Sequence, residues 1–273
     1  MNRIDSTLEK LAVDGRKALV AYLTAGYPDI DTSLEILEAV CNAGADILEI
    51  GMPFSDPTCD GPVIQASSET ALKAGMSLSK SISLTFRLRE KVETPIVLFS
   101  YYNPIFRYGV KRFADEISLA GVDGLLVVDL PPEEENDLVA ALEGKAIHII
   151  RLVAPTTKLE RMKMLANSTG GFLYLISRTG VTGTGGLDPA AIAKHAAEVK
   201  AVCPHPVCIG FGISNADDAR TLAPLADGII VGSAIMRVLC EERDISVMPA
   251  VAAAKISELR TGMDDAGNIR QNV

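Results

Sequence analysis

The sequence predicts an α/β fold: a closed (β/α)8 barrel, or TIM barrel, in a single domain with an extra N-terminal helix. Three observations lead there. Apolar runs of strand length alternate with helical patterns through eight βα units, the count of a closed barrel of about 250 residues. The runs are continuously apolar rather than alternating, as when both faces of a parallel sheet are covered. The turn after the first run, Thr24-Ala25-Gly26-Tyr27-Pro28, is not the glycine fingerprint of an open dinucleotide-binding sheet.

The elements follow in order. Ile4, Leu8 and Leu11 share a face, and Ser6-Thr7-Leu8-Glu9 reads as a capping box for a short amphipathic helix. The first strand is expected at Ala18–Leu23. A helix then starts at Asp31-Thr32-Ser33 and stops at Gly44. The second strand is Asp46-Ile47-Leu48-Glu49-Ile50, running into a loop rich in Pro and Asp up to Pro62. Helices are expected at Ser67–Lys73 and Leu78–Lys91, and the third strand at Pro95–Phe99. A helix around Val110–Ala120 leads to the fourth strand, Gly124–Asp129. The Glu133–Leu142 helix leads to the fifth strand, Ala146–Val153, and the Leu159–Ala166 helix to the sixth, Phe172–Ile176. The Pro189–Ala201 helix precedes the seventh, Pro206–Ile209, and the Ala216–Leu222 helix the eighth, Gly228–Val231. A last helix spans about Ile235 to Leu259 with a break at Met248-Pro249. The barrel domain takes residues 1–260, and the polar segment 261–273 reads as a disordered tail.

Composition narrows the function. The net charge of −9 argues against nucleic acid or an anionic membrane as partner. It leaves a phosphorylated small molecule open, because backbone amides can hold phosphate without basic side chains. No run reaches membrane-spanning length, and the N-terminus has no apolar signal region. Five cysteines form an odd set, read as reduced thiols in a cytoplasmic protein. The spacing Cys203-Pro-His205-Pro-Val-Cys208 matches no zinc pattern, and no metal is expected.

Two groups of residues carry chemistry. Glu49 lies within an apolar strand, where burial disfavours its charge and raises its pKa. That suits a group that both gives and takes a proton near neutral pH. Asp60, eleven residues on, can reach over the same barrel mouth. Taken alone, Glu49 also reads as a strand-end carboxylate paired with Arg or Lys, and Asp60 as the first residue of an Asp-Gly turn. Asp56 and Asp129 read as a turn residue and a strand-end acceptor. The second group is glycine-rich: Thr179–Gly186, Gly210-Phe211-Gly212-Ile213-Ser214 and Gly232-Ser233-Ala234 follow the last three strands. Converging amides there form a phosphate cup, with the Ser233 hydroxyl as an added donor.

The run from Leu48 to Gln65 resembles the signature of the tryptophan synthase alpha subunit. So do Tyr101-Tyr102-Asn103-Pro104-Ile105, Ser177–Gly183 and Gly210–Ser214. The resemblance covers nearly the whole chain. It implies a carbon–carbon lyase of tryptophan biosynthesis. The reaction would be retro-aldol cleavage of indole-3-glycerol phosphate to indole and glyceraldehyde 3-phosphate. The chain itself would need no cofactor. Its partner would be a beta subunit carrying pyridoxal phosphate (PLP), in an α2β2 heterotetramer docked around Pro53–Pro57 and the loop after the sixth strand.

The resemblance also assigns roles. Glu49 is the general acid/base, Asp60 the partner of the indole N–H, and Tyr174 an active-site tyrosine. Thr182, Gly183, Phe211, Gly212, Gly232 and Ser233 fall at phosphate-side positions, and Tyr22 lies at the indole pocket. Ile64, Leu98 and Val127 are candidate ring neighbours that read first as core. Tyr22 stands where the family usually has Phe, Cys59 where it has a small Ala, and Ser100 where it has a bulkier residue. The loop Thr184–Asp188, natural as a lid, is glycine-rich, so its closed form carries an added entropic cost. Two other readings remain beside the lyase subunit: a stand-alone indole-releasing lyase, and a phosphate-binding barrel that mainly regulates its partner.

Overall fold

The strands of this computed structural model, which describes residues 2–176, 188–210 and 212–270, are all parallel. They are β1 (Ala18–Thr24), β2 (Ile47–Gly51), β3 (Ile96–Ser100), β4 (Gly124–Val127), β5 (His148–Ile149), β6 (Arg151–Val153), β7 (Leu173–Ile176), β8 (Val207–Gly210) and β9 (Gly228–Val231). Their order is β5-β4-β3-β2-β1-β9-β8-β7-β6. β5 and β6 are separated by Ile150 alone, so they are two halves of one extended stretch. The first half pairs with β4 and the second with β7. The ring therefore closes with eight strand positions, as expected. The expected continuous strand Ala146–Val153 is instead split. There the Arg151 amide leaves the ladder and donates to the Thr169 hydroxyl at 3.1 Å.

The helices are α1 (Arg3–Val13), α2 (Ile30–Asn42), α3 (Pro62–Lys73), α4 (Leu78–Arg89), α5 (Tyr102–Tyr108), α6 (Val110–Leu119), α7 (Asn136–Leu142), α8 (Leu159–Ser168), α9 (Pro189–Lys200), α10 (Ala216–Leu222), α11 (Ser233–Glu241) and α12 (Met248–Arg270). Side-chain alternation sorts each strand into two layers. Ala18, Val20, Ile47, Val97, Leu126, Phe172 and Cys208 fill the barrel. Leu19, Ala21, Leu48, Ile50, Leu98 and Leu125 pack outward against the helices. Ile4, Leu8 and Leu11 of α1 belong to the inner cluster, so the extra helix plugs the N-terminal end of the barrel.

That end is also fastened by a repeated device. Asp46, Asp123 and Asp227 each stand one residue before a strand. Each accepts the amide N–H of a residue near the start of the neighbouring strand: Leu19 at 2.8 Å, Ile96 at 2.9 Å and Val207 at 3.0 Å. A cation neutralises each one: Arg260, Arg89 and Lys200 respectively. For Asp123, which is almost fully buried, such partners are what make the charge tolerable.

Several expectations are corrected. α1 begins earlier than the capping box implied. Asn2 is its N-cap, accepting the Ile4 amide at 2.8 Å, and Ser6 to Glu9 lie inside the helix. α2 starts at Ile30 with Asp29 as its cap. Tyr102–Tyr108, to which the sequence pattern assigned no element, is a short helix. The long final helix is two helices, and Met248-Pro249 opens the second, because proline fits the first helical turn. The segment from 261 is not a disordered tail through Arg270: α12 continues there, with Met263 and Ala266 buried.

Candidate active site

Glu49 has the same strand parity as Ile47 and therefore points into the barrel, level with Tyr22 of β1 and Val97 of β3. It is 1% exposed, and its Oε1 has no hydrogen-bond partner among the described residues. No Arg or Lys pairs with it among the described residues, which removes the strand-end ion-pair reading. Burial alone pushes its pKa up from 4.5 to about 8. Glu49 therefore holds its proton at neutral pH.

A cavity of about 380 Å³ opens above it at the C-terminal mouth of the barrel, where barrel enzymes place their sites. Asp60 enters from the loop between β2 and α3 and shares this cavity with Glu49, Tyr22, Ile64 and Tyr174. Asp60 is more than a turn residue. The Tyr101 hydroxyl accepts the Cys59 amide N–H at 3.0 Å and donates to the Asp60 carboxylate. The Asp60 carbonyl accepts Gln65 Nε2 at 2.8 Å. Burial pushes the Asp60 carboxyl up to about 6, against the Tyr101 bond, which favours the charged form. Two carboxyls in one cavity thus differ by environment: near pH 7 Glu49 is protonated and Asp60 is ionised.

Tyr101 carries no role in the sequence pattern beyond its place in the Tyr101–Ile105 motif; the fold supplies one. The signal is its place at the end of β3, at the mouth and beside Phe54, whose ring centroid lies 5.2 Å away. It also accounts for Cys59, which meets Tyr101 through its backbone, so the position places little demand on the side chain. Ser100 is buried, and its hydroxyl donates to the Tyr101 carbonyl at 3.0 Å.

The unusual Tyr22 also finds partners. Thr24 stands beside its hydroxyl and favours its ionised form, Thr24 Oγ1 lies 2.7 Å from Ser67 Oγ, and Ser67 donates to the Ile64 carbonyl at 2.8 Å. With the Ser67 proton committed to Ile64, Thr24 donates to Ser67. The ring stands edge-on to Phe99 at 5.5 Å and 84°. Any Cβ at Gly51 would overlap the Tyr22 hydroxyl, and any at Gly210 would overlap Tyr174. These strand-end glycines make room for the two rings that wall the cavity. Among the candidate ring neighbours, Ile64 lines the cavity, whereas Leu98 and Val127 pack into the outer layer. By alternation it is Phe99, with Ile230 across the mouth, that faces inward.

The opposite wall is built from Gly212, Gly232 and Ser233. Gly212 has φ of +84°, a conformation that favours glycine. Gly232 precedes α11, which has no side-chain cap. No described residue takes the first amides of that helix, which border the cavity, an arrangement suited to an anion. Arg237 also lines the cavity and was missed. Its signal is its spacing, one helical turn after Ser233. Thr182, Gly183 and Phe211 lie outside the described residues, as do residues 184–187 of the loop expected to act as a lid; Asp188, its last residue, caps α9.

The profile of the tryptophan synthase alpha chain family matches residues 8–266. A tryptophan synthase alpha chain from Desulfatibacillum aliphaticivorans is 51% identical over 241 residues, 88% of this chain and 91% of that protein. The crystal structure of tryptophan synthase subunit alpha from Legionella pneumophila superposes with a TM-score of 0.89 at 35% identity. It covers 97% of this chain and 99% of its own. An aminoacrylate-bound tryptophan synthase from M. tuberculosis gives 0.86 at 33% identity, covering 96% of this chain and all (100%) of its own. With this agreement along nearly the whole sequence and fold, the chain belongs to the tryptophan synthase alpha chain family.

Proposed function

We propose that Glu49 and Asp60 carry out, in this cavity, the lyase reaction of the family: cleavage of indole-3-glycerol phosphate to indole and glyceraldehyde 3-phosphate in tryptophan biosynthesis. The observation that carries the assignment is the buried, unpartnered Glu49 Oε1 facing a cavity shared with Asp60. Glu49 begins protonated and gives its proton to indole C3. Positive charge then develops on the ring nitrogen, and ionised Asp60 beside the N–H stabilises it. The Glu49 carboxylate next takes the proton of the adjacent side-chain hydroxyl. The bond from C3 to the glycerol carbon breaks, its electrons return to the ring, and the hydroxyl carbon becomes the aldehyde. Glu49 ends protonated, ready for the next turnover, and no net proton is consumed.

Tyr22, Phe99 and Ile64 supply the apolar walls for the indole, and Tyr174 holds the glycerol chain beside Glu49. The amides at Gly212, Gly232 and Ser233, together with Thr182, Gly183 and Phe211, take the phosphate. The chain needs no cofactor for these steps. We further propose an α2β2 assembly in the cytoplasm, with indole passed to a PLP-dependent beta subunit. Among the described residues no helix is long and apolar enough to cross a membrane. In support of docking, the loop carrying Asp60 also bears exposed Ser55 and Asp56, so one segment reaches both cavity and surface.

The test is indole release from indole-3-glycerol phosphate with and without beta subunit, with Glu49→Gln as control. Release by the native chain and none by the variant is the expected result. Appreciable turnover by Glu49→Gln overturns the acid–base assignment.

A further inference from the structure

We propose that Arg237 is a substrate-positioning residue that recognises the phosphate charge from the rim of the cavity. This rests on the reading of the site given above and assigns it one more group. Among the described lining residues Arg237 is the only cation, against the two acids Glu49 and Asp60. Ser233 and Arg237 are four residues apart on α11, so they share one face of that helix. Helical side chains lean toward the N-terminus. The Arg237 side chain is thereby carried back over the turn that begins at Ser233, where the uncapped amides border the cavity.

Several surface arginines of this chain are engaged, among them Arg87 with Asp31, Arg112 with Glu116, Arg161 with Glu133 and Arg220 with Asp217. Exposed Arg107 and Arg243 are not, but of the described arginines without an ion pair to a described residue only Arg237 lines the cavity. Arg237 makes no ion pair with a described residue. A guanidinium left without a carboxylate beside an anion-suited helix start is placed for an external oxyanion. The backbone amides fix where the phosphate sits. Arg237 adds a full positive charge, which amides lack, and so favours a doubly charged phosphate ester over neutral or singly charged analogues. It touches the non-reacting end of the substrate, so its contribution enters binding rather than the chemical step.

The experiment compares the full-length native chain with Arg237→Gln and Arg237→Lys, using inorganic phosphate as the probe in calorimetric titrations at low and high salt. The same proteins are then assayed for KM and kcat with indole-3-glycerol phosphate. For an exposed charge-assisted contact, Arg237→Gln is expected to weaken phosphate binding about five- to tenfold and to raise KM similarly, with the change in kcat much smaller. Arg237→Lys should recover most of the loss, and the gap between native and Gln proteins should narrow at high salt. Because the side chain is exposed, matching thermal melts are expected for all three proteins. Phosphate affinity and KM within twofold of native in Arg237→Gln would overturn the proposal while leaving the site reading intact. A native chain that neither binds phosphate nor releases indole would overturn the site reading itself.

Discussion

Replacing Glu49 with Gln should make the protein more stable, by an amount that grows with pH. The native carboxyl lies at about 8 in the folded chain against an ordinary 4.5. Below 4.5 it is protonated in both folded and unfolded states and contributes no pH dependence. Between the two values the unfolded chain ionises while the folded chain keeps its proton, so stability falls as pH rises. Above 8 the loss is complete. At about 1.36 kcal/mol for each tenfold change in ionisation, the full loss is on the order of 5 kcal/mol. Gln leaves the unpartnered polar atom in place but cannot ionise. The difference between variant and native should therefore be under about 1 kcal/mol at pH 5 and several kcal/mol at pH 8.5. Urea unfolding followed by circular dichroism at the two pH values measures it, and every other titrating group cancels because both chains carry it. A difference equal at both pH values would refute the burial of an ionisable Glu49. The same variant should release no indole.

Three further outcomes follow from the site and its support. The rate should be bell-shaped in pH, rising as Asp60 ionises near 6 and falling as Glu49 loses its proton near 8; a flat kcat from pH 5.5 to 9 contradicts the opposed roles. Asp60→Asn should lower kcat about 100-fold or more by removing the charge that faces the ring nitrogen. Tyr101→Phe should shift the acid limb upward, because the lost hydrogen bond favoured ionised Asp60, and both are read from steady-state indole release. At the other end of the barrel, Asp123→Ala should cost about 3–5 kcal/mol. It strands Arg89 and the Ile96 amide, and chemical denaturation will show it; a loss below 1 kcal/mol would mean that these fasteners are dispensable.

The barrel was legible because its strands are apolar runs separated by helix-period segments, and both signals are local. Glu49 was legible for a related reason: a charge inside an apolar run violates the local pattern, and such violations gather where function overrides packing. What local pattern could not show was partnership across the sequence. Tyr101 reaches Cys59 and Asp60 from 42 and 41 positions away, and Asp123 serves strands on both sides of its own. Helix boundaries also failed where a tertiary contact decided them. Asn2 caps α1 while its side-chain amide donates to the carbonyls of Asp123 and Ala146. Those contacts anchor the first turn more firmly than a box at Ser6 could.

The glycines show how one residue type can serve two purposes at the same mouth. Gly210 and Gly232 both came from motifs read as phosphate-binding. At Gly210 the structure shows a steric demand, since the Tyr174 ring occupies the space of a side chain. At Gly232 the gain is an uncapped helix start beside the cavity, although a Cβ there would also press on Tyr22 at 3.0 Å. The two halves of the cavity then differ in their electrostatics. Around Glu49, tyrosine rings and core side chains exclude water and keep a carboxyl neutral. Around Ser233, amides and Arg237 meet a more open rim where a charged group can keep part of its hydration. A substrate with an apolar ring at one end and a dianion at the other fits this division in only one direction. That orientation brings the bond to be broken beside Glu49.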